Sequence, residues 1–234
     1  MRLVLFDIDG TLILTHGAGM RAFHRAFQEV FDIIVDREVI RPDGKTDPLI
    51  AKEILSYFGK ENCWNEQSRD QLFATYLTFL RQEMRWAREN DSIHILPGVR
   101  ELLAGLSTEP EFLVGLVTGN LEEGARIKLE YAGLSQYFRF GGYGSDSEDR
   151  TTVTRMGIRR GADLIAPSPL EAAFVIGDTP LDIVHGHAAG AGVIAVASAR
   201  YSAAHLQPCH PDLLVPALTP IEPVLSFMRS WLPA

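Results

Sequence analysis

The chain has 234 residues, 46% of them hydrophobic, and 22 Lys and Arg against 30 Asp and Glu give it a formal charge of −8. That hydrophobic share excludes a disordered chain, and the acidic balance excludes a nucleic-acid binder that works through a basic surface. An anionic substrate would need a local source of positive charge, and a divalent metal is the obvious one.

Residues 2–6 (Arg-Leu-Val-Leu-Phe) form a short apolar run, the pattern of a buried parallel strand. The run enters Asp7-Ile8-Asp9-Gly10-Thr11-Leu12. Over 17–31, Phe23, Phe27 and Phe31 recur at four-residue spacing beside Met20 and Val30, which predicts an amphipathic helix. Asp47-Pro48 reads as an N-cap followed by Pro at the first helical position. Ile50, Ile54 and Phe58 carry that helix to a stop at Gly59. A longer helix covers 66–88, with Phe73, Tyr76, Leu77, Leu80 and Met84 on one side. From Leu96-Pro97-Gly98 the character changes. A helix bearing Val99, Leu102, Leu103 and Leu106 leads to the apolar run 112–117, which ends in Thr118-Gly119-Asn120. Next come a helix over 125–132, a short strand near 137–140, a polar loop through 144–149 and a helix from about 151. The strand 172–176 ends in Gly177-Asp178-Thr179-Pro180-Leu181-Asp182. A helix, a strand over 193–196, a looser Pro-rich segment and a last helix follow.

This alternation predicts an α/β fold, a parallel sheet with helices on both faces. Residues 15–92 are nearly all helical and interrupt the alternation after the first strand. They read as an inserted all-helical domain, hinged near Leu14 and Ile93, on a core made of residues 1–14 and 93–234. Cys63 and Cys209 lack zinc-site spacing and read as free thiols of a reducing compartment. No signal peptide is expected, and no run approaches the ~18 apolar residues of a membrane span. These features place the protein in the cytoplasm, away from membranes.

Three apolar strands each end in a polar cluster: Asp7 and Asp9, Thr118 and Asn120, Asp178 and Asp182. In an open parallel sheet, ligands bind beyond the carboxyl ends of the strands, so the three clusters should meet in one site. Asp7 and Asp178 offer carboxylates to a hard divalent cation such as Mg²⁺, which keeps waters and substrate oxygens among its ligands. A carboxylate can also act as nucleophile, and Asp9 can serve as general acid and base. Thr118 and the Gly119 and Asn120 amides offer donors to phosphate oxygens. Arg150 or a neighbouring Arg can supply the charge that stabilises a transferring group. Lys45, in Gly44-Lys45-Thr46-Asp47 before a helix N-terminus, suits the far end of an anionic substrate. His16 and Arg21 are weaker candidates of the same kind, and His185 and His187 lie on different faces of their helix.

Asp7-Ile8-Asp9-Gly10-Thr11-Leu12 resembles the first signature of the haloacid dehalogenase superfamily. Val117-Thr118-Gly119-Asn120 is similar to its second motif, and Gly177-Asp178-Thr179-Pro180-Leu181-Asp182 to its fourth. The helical insertion resembles that superfamily's cap, and the return through Leu96-Pro97-Gly98-Val99 is like that of its phosphoglycolate-phosphatase-like branch. The resemblance implies a Rossmann-like core with a helical cap. It makes Asp7 the nucleophile and a metal ligand. Asp9 becomes the acid and base and a ligand through its carbonyl, Thr118 a phosphate donor, Asp178 a second carboxylate ligand. Asp182 becomes a ligand through water or the partner of the third-motif cation. That cation is usually a Lys, and none lies between Lys128 and Gly177. Arg150 is the expected replacement, with Arg155 and Arg159 as competitors further into the helix.

The resemblance implies a Mg²⁺-dependent phosphatase for a small phosphomonoester: a phosphoglycolate-like compound, a sugar phosphate or a nucleotide monophosphate. Asp9 argues against a dehalogenase, whose branch lacks that acid. The alternatives are a phosphomutase of the β-phosphoglucomutase kind and a non-catalytic phosphate-binding regulator. The expected partner is a small phosphorylated metabolite, in a monomer or homodimer.

Overall fold

The first apolar run becomes the middle of the sheet. In a computed structural model that describes residues 1–36 and 40–232, β1 (Arg2–Phe6) pairs in parallel with β4 (Phe112–Val117) on one side and β6 (Ala172–Gly177) on the other. The sheet continues outward to β5 (Gly141–Gly142) beyond β4, and to β7 (Gly192–Val196) and then β8 (Leu213–Val215) beyond β6. All five pairings are parallel. Side-chain alternation splits each strand between two packed faces. Val4 and Phe6 join Val114, Leu116, Phe174 and Ile176 under α4 (Val99–Thr108) and α9 (Glu222–Ser230). Leu3 and Leu5 join Val117 and Val175 under α6 (Arg150–Ile165). A fully buried Phe or Leu at such positions contributes about 1.5–3 kcal/mol, so burial on both faces fixes strand and register together.

Between β1 and α4 the chain leaves the sheet. The two-residue strands β2 (Ile13–Leu14) and β3 (His94–Ile95) pair antiparallel and carry it out and back. Between them lie α1 (Ala18–Phe31), α2 (Asp47–Tyr57) and α3 (Glu66–Glu89). These helices share a core of their own. Phe23, Phe27, Ile54, Leu72, Tyr76 and Leu80 pack there, joined by Leu121 and Ile127 at α5 (Glu122–Ala132). The remaining helices, α7 (Pro180–Ala188) and the short α8 (Ala203–Leu206), pack at β7 and β8, with Ile183, Val193, Ala195 and Leu206 between them.

Four local expectations are corrected. Residues 135–137 form a 3-10 turn, and the strand lies later, at Gly141–Gly142. The alternating aromatics mimic a strand, but Phe140 is turned into the core, and only glycine fits beside α6, where a Cβ on Gly142 would stand 1.9 Å from the Val153 carbonyl oxygen. The α2 cap is Thr46, whose Oγ1 accepts from the Leu49 N–H at 3.3 Å; Asp47 is already helical. The loose C-terminal stretch contains β8, too short to show a period. The helix expected from 125 starts at Glu122. Cys63 and Cys209 are free thiols, and no helix among the described residues is long and apolar enough to cross a membrane.

Candidate active site

The sheet order sets β1 between β4 and β6, so Asp7, Thr118 and Asp178 emerge side by side at the same edge. The Asp7 N–H still donates to the Ile176 carbonyl at 2.9 Å, which extends the ladder one residue past β1. Carboxylate oxygens of Asp7, Asp178 and Asp182 lie within 4.8 Å of one another, and all three residues are buried. Asp182 reaches the cluster from the first turn of α7. Its Oδ2 accepts from the Thr179 N–H at 3.1 Å and the Thr179 hydroxyl at 2.7 Å, a capping box that fixes its rotamer. Thr11 donates to Asp178 at 3.0 Å. Gly10 is required here: its φ is +91°, and a Cβ would fall 2.4 Å from an Asp178 oxygen.

Arg150, the first residue of α6, is buried against this cluster. Its Nη2 lies 2.5 Å from Asp182 Oδ1 and 3.6 Å from Asp7 Oδ1. Its buried Nε has no hydrogen-bond partner among the described residues. Arg155 and Arg159 point elsewhere: both are exposed, and Arg155 donates to the Ala188 carbonyl. His185 meets the Thr151 hydroxyl at 2.8 Å and His187 meets Asp212 at 2.9 Å.

A second buried cation sits opposite, and the motif reading passes over it. Lys128 Nζ is 2.6 Å from Asp9 Oδ2 and 2.6 Å from Asn120 Oδ1. Asn120 in turn donates to Asp9 at 2.8 Å and to Thr118 Oγ1 at 2.7 Å. Asp9 is therefore held by two donors while its side chain stays 45% exposed. Among the described residues Thr118 Oγ1 only accepts, so its own proton is left for a ligand. One signal for Lys128 was available. It shares an α5 face with Ala125 and Ala132, both buried, and a Lys on an apolar face implies a buried partner.

The helical segment lies over these groups. The Asp47 N–H donates to the Gly119 carbonyl at 2.7 Å, and the Leu121 N–H donates to Asp47 Oδ2 at 2.9 Å. Gly119 permits the approach, since a Cβ there would stand 1.9 Å from the Lys45 carbonyl oxygen. Arg200 pairs with Asp43 at 2.6 Å and Lys52 with Glu148 at 2.8 Å, while Arg81 pairs with Glu123. Beneath lies a cavity of about 460 Å³ lined by Asp7, Asp9, Thr118, Arg150 and Asp178, and also by Lys45, whose Nζ is 2.6 Å from Glu53.

Three buried carboxylates face one guanidinium, so the cluster is short of positive charge. Burial, then the neighbouring Asp182 and Asp7, raises the Asp178 carboxyl from 3.8 to about 9. Burial and Asp182 also raise Asp7, against the pull of Arg150. An all-oxygen donor set with excess negative charge fits a hard divalent cation. A carboxyl raised in the folded state stabilises the protein at low pH, and that stability is lost as pH rises from the unfolded value of 3.8 through about 9. Added Mg²⁺ should therefore raise the melting temperature over an EDTA control, by more at about pH 8.5 than at about pH 6, with about 2–4 °C per kcal/mol. Thermal melts check this; an increment equal at both pH values counts against a cation at this cluster.

A parallel α/β sheet with aspartates at adjacent strand ends and a helical excursion after the first strand defines a hydrolase of one class. The family described as Haloacid dehalogenase-like hydrolase matches residues 4–196, and the chain belongs to it. Among individual proteins, it is 28% identical to pyrophosphatase PpaX of Listeria monocytogenes, over 91% of this chain and 90% of that one. Its fold is similar to a β-phosphoglucomutase from Clostridium difficile (TM-score 0.71, 17% identity, 97% and 96% coverage). It is also similar to a hydrolase from Pseudomonas syringae (TM-score 0.69, 21% identity, 92% of each chain).

Proposed function

We propose that the chain is a Mg²⁺-dependent phosphatase of small phosphomonoesters that works through a phosphoryl group carried on Asp7. The observation that carries this reading is the convergence of Asp7, Asp9, Thr118 and Asp178, from strand ends far apart in sequence, and of Arg150, from the start of α6, on one cavity. The pyrophosphatase relative is named for phosphoryl chemistry, in keeping with this reading.

Asp7, Asp178 and the Asp9 carbonyl would hold the Mg²⁺, with Asp182 reserved for Arg150. When bound, the ion neutralises these carboxylates and the phosphate oxygens so that the two can meet. An Asp7 oxygen attacks phosphorus, the ester oxygen leaves, and Asp9 gives it a proton. Asp9 then takes a proton from water, which attacks the phosphorus and returns Asp7 as a carboxylate. The Thr118 hydroxyl proton, the Gly119 amide and the Arg150 guanidinium are the donors offered to the phosphoryl oxygens, and the Asn120 N–H, which donates to Thr118 Oγ1 at 3.3 Å, joins them by turning from that bond. Lys45 lies toward the far end of the substrate. The helical segment 15–92 serves as the lid that excludes water.

Asp9→Asn should slow turnover about 10²–10⁴-fold, the range of general acid–base catalysis, while a good leaving group partly restores the first step. Rapid-quench kinetics with an aryl phosphate and an alkyl phosphate check this. Equal turnover of both esters by the variant and the wild type would remove Asp9 from the proton transfers. Product analysis with sugar phosphates separates phosphate release from isomerisation, the phosphomutase outcome.

A further inference from the structure

We propose that this site takes phosphomonoesters of uncharged alcohols, with an apolar face and a polar substituent, and discriminates against leaving groups that carry a second anion such as a carboxylate or another phosphate. The proposal rests on the phosphatase reading and narrows it.

The charge pattern of the cavity carries it. Among the described residues, five basic side chains line the cavity, and each is already engaged. Lys45 is 2.6 Å from Glu53, Lys128 is 2.6 Å from Asp9, and Arg200 is 2.6 Å from Asp43. Arg150 is 2.5 Å from Asp182, and the His16 ring packs edge-on against His94 at 4.9 Å. Arg150 keeps its Nε free, but it belongs to the Asp7 end, where the phosphoryl group sits. At the other end Asp47 is buried, and among the described residues none forms an ion pair with it, Lys128 acting on it only from further off; its Oδ2 accepts from a backbone N–H. A second anion there would lose its water, face Asp9 and Asp47, and find no Lys or Arg of the described lining that is not already paired with a carboxylate. A site of this kind rejects the wrong ligand by leaving its charge unpaired.

The walls point the same way. Met20, Phe23, Ile50 and Tyr76 line the cavity from α1, α2 and α3. Tyr76 is only 2% exposed, its ring packs edge-on against Phe23 at 4.8 Å, and its hydroxyl makes no hydrogen bond with any described residue. Burial and the Asp47 and Asp9 carboxylates hold that phenol well above its ordinary range, so it stays a neutral donor and acceptor. That hydroxyl is not sealed off but opens on the cavity, where water or a ligand can engage it. A hydroxyl, carbonyl or ring nitrogen on the leaving alcohol does so, and an alcohol lacking such a group leaves the site's polar atom unpaired.

Size-matched pairs test this: hydroxyethyl phosphate against phosphoglycolate, and glycerol phosphate against phosphoglycerate, with pyrophosphate as a further anion. Each is titrated calorimetrically with Mg²⁺ into the full-length Asp7→Asn protein, and kcat/KM is measured for the wild type. In each pair the neutral member should bind, and be turned over, at least about tenfold better. Glu53→Gln, which releases Lys45, should shift relative affinity toward the anionic member severalfold. Anionic members that bind as well as or better than their neutral partners overturn the proposal, as does the absence of binding by either. A binding preference without any phosphate release keeps the substrate class and refutes the hydrolytic reading, so the two failures are distinguishable.

Discussion

Asp7→Asn should abolish phosphate release, by about 10³-fold or more, and leave the fold intact. The side chain is nearly isosteric, and the Asp7 N–H ladder bond to Ile176 does not involve it. The loss is therefore chemical: an amide oxygen is too weak a nucleophile to displace an ester oxygen from phosphorus. The same substitution has an opposite effect on stability. It removes one of three buried carboxylates that share a single guanidinium, so like-charge repulsion falls. In EDTA at about pH 9, near the raised Asp178 value, where more of that repulsion is present than at neutral pH, the variant should melt at or above the wild-type temperature. Malachite-green assays and thermal melts on one preparation read both effects. A variant that retains most turnover would remove Asp7 from the chemistry, and one that is inactive because it unfolds would show it in the melt.

Arg150→Ala should have the largest combined effect of any single substitution at the site. Arg150 is the only cation within ion-pairing distance of Asp182 and Asp7 among the described residues. Breaking a buried pair from one side costs about 3–5 kcal/mol, because the carboxylate left behind is uncompensated. Loss of a donor to the transferring group costs a further 10²–10³-fold, as a rough guide, in kcat. Arg155→Ala is the control on the same helix. That side chain is exposed and donates only to a backbone carbonyl, so its removal should stay within about 0.5 kcal/mol. Arg150→Lys separates the two contributions. It restores charge without the planar fork, so stability should recover more than turnover does. Denaturant melts together with kcat for the three variants check this. An Arg155→Ala defect that matched or exceeded that of Arg150→Ala would assign the third-motif role to the wrong residue.

The parts legible in the sequence are those where one physical constraint acts alone. Strands buried on both faces show as unbroken apolar runs, as at 2–6, 112–117 and 172–177, and a polar residue straight after such a run marks the sheet edge where ligands bind. The position of Arg150 is legible as a basic residue at a helix start, and the fold sets it against Asp182 and Asp7. The role of Lys128 is not legible, since it depends on how α5 packs across Asp9 and Asn120, and only its place on an apolar face hints at it. Asp before Pro is the pattern of a helix cap, whereas Thr46 takes the cap and frees the Asp47 carboxylate to accept from the Leu121 N–H. The two-residue strands β2, β3 and β5 have no periodicity to read; β2 and β3 pair where the chain crosses between sheet and helices, and β5 pairs with β4 at the edge of the main sheet. Tyr76 lies on the apolar side of its helix in the sequence and in the helical core of the fold; only the tertiary arrangement shows that its hydroxyl meets no partner among the described residues.

The covalent step on Asp7 is the central claim, and acid-quench mass spectrometry tests it most directly. The Asp9→Asn protein, slowed in breakdown, is mixed with Mg²⁺ and an aryl phosphate, quenched in acid and digested. A phosphoryl group on the peptide that begins the chain, located at Asp7 and absent from the Asp7→Asn, Asp9→Asn double variant, is the predicted result. Phosphate release by wild type with no phosphorylated peptide under any quench time, or with the group on another residue, would contradict it.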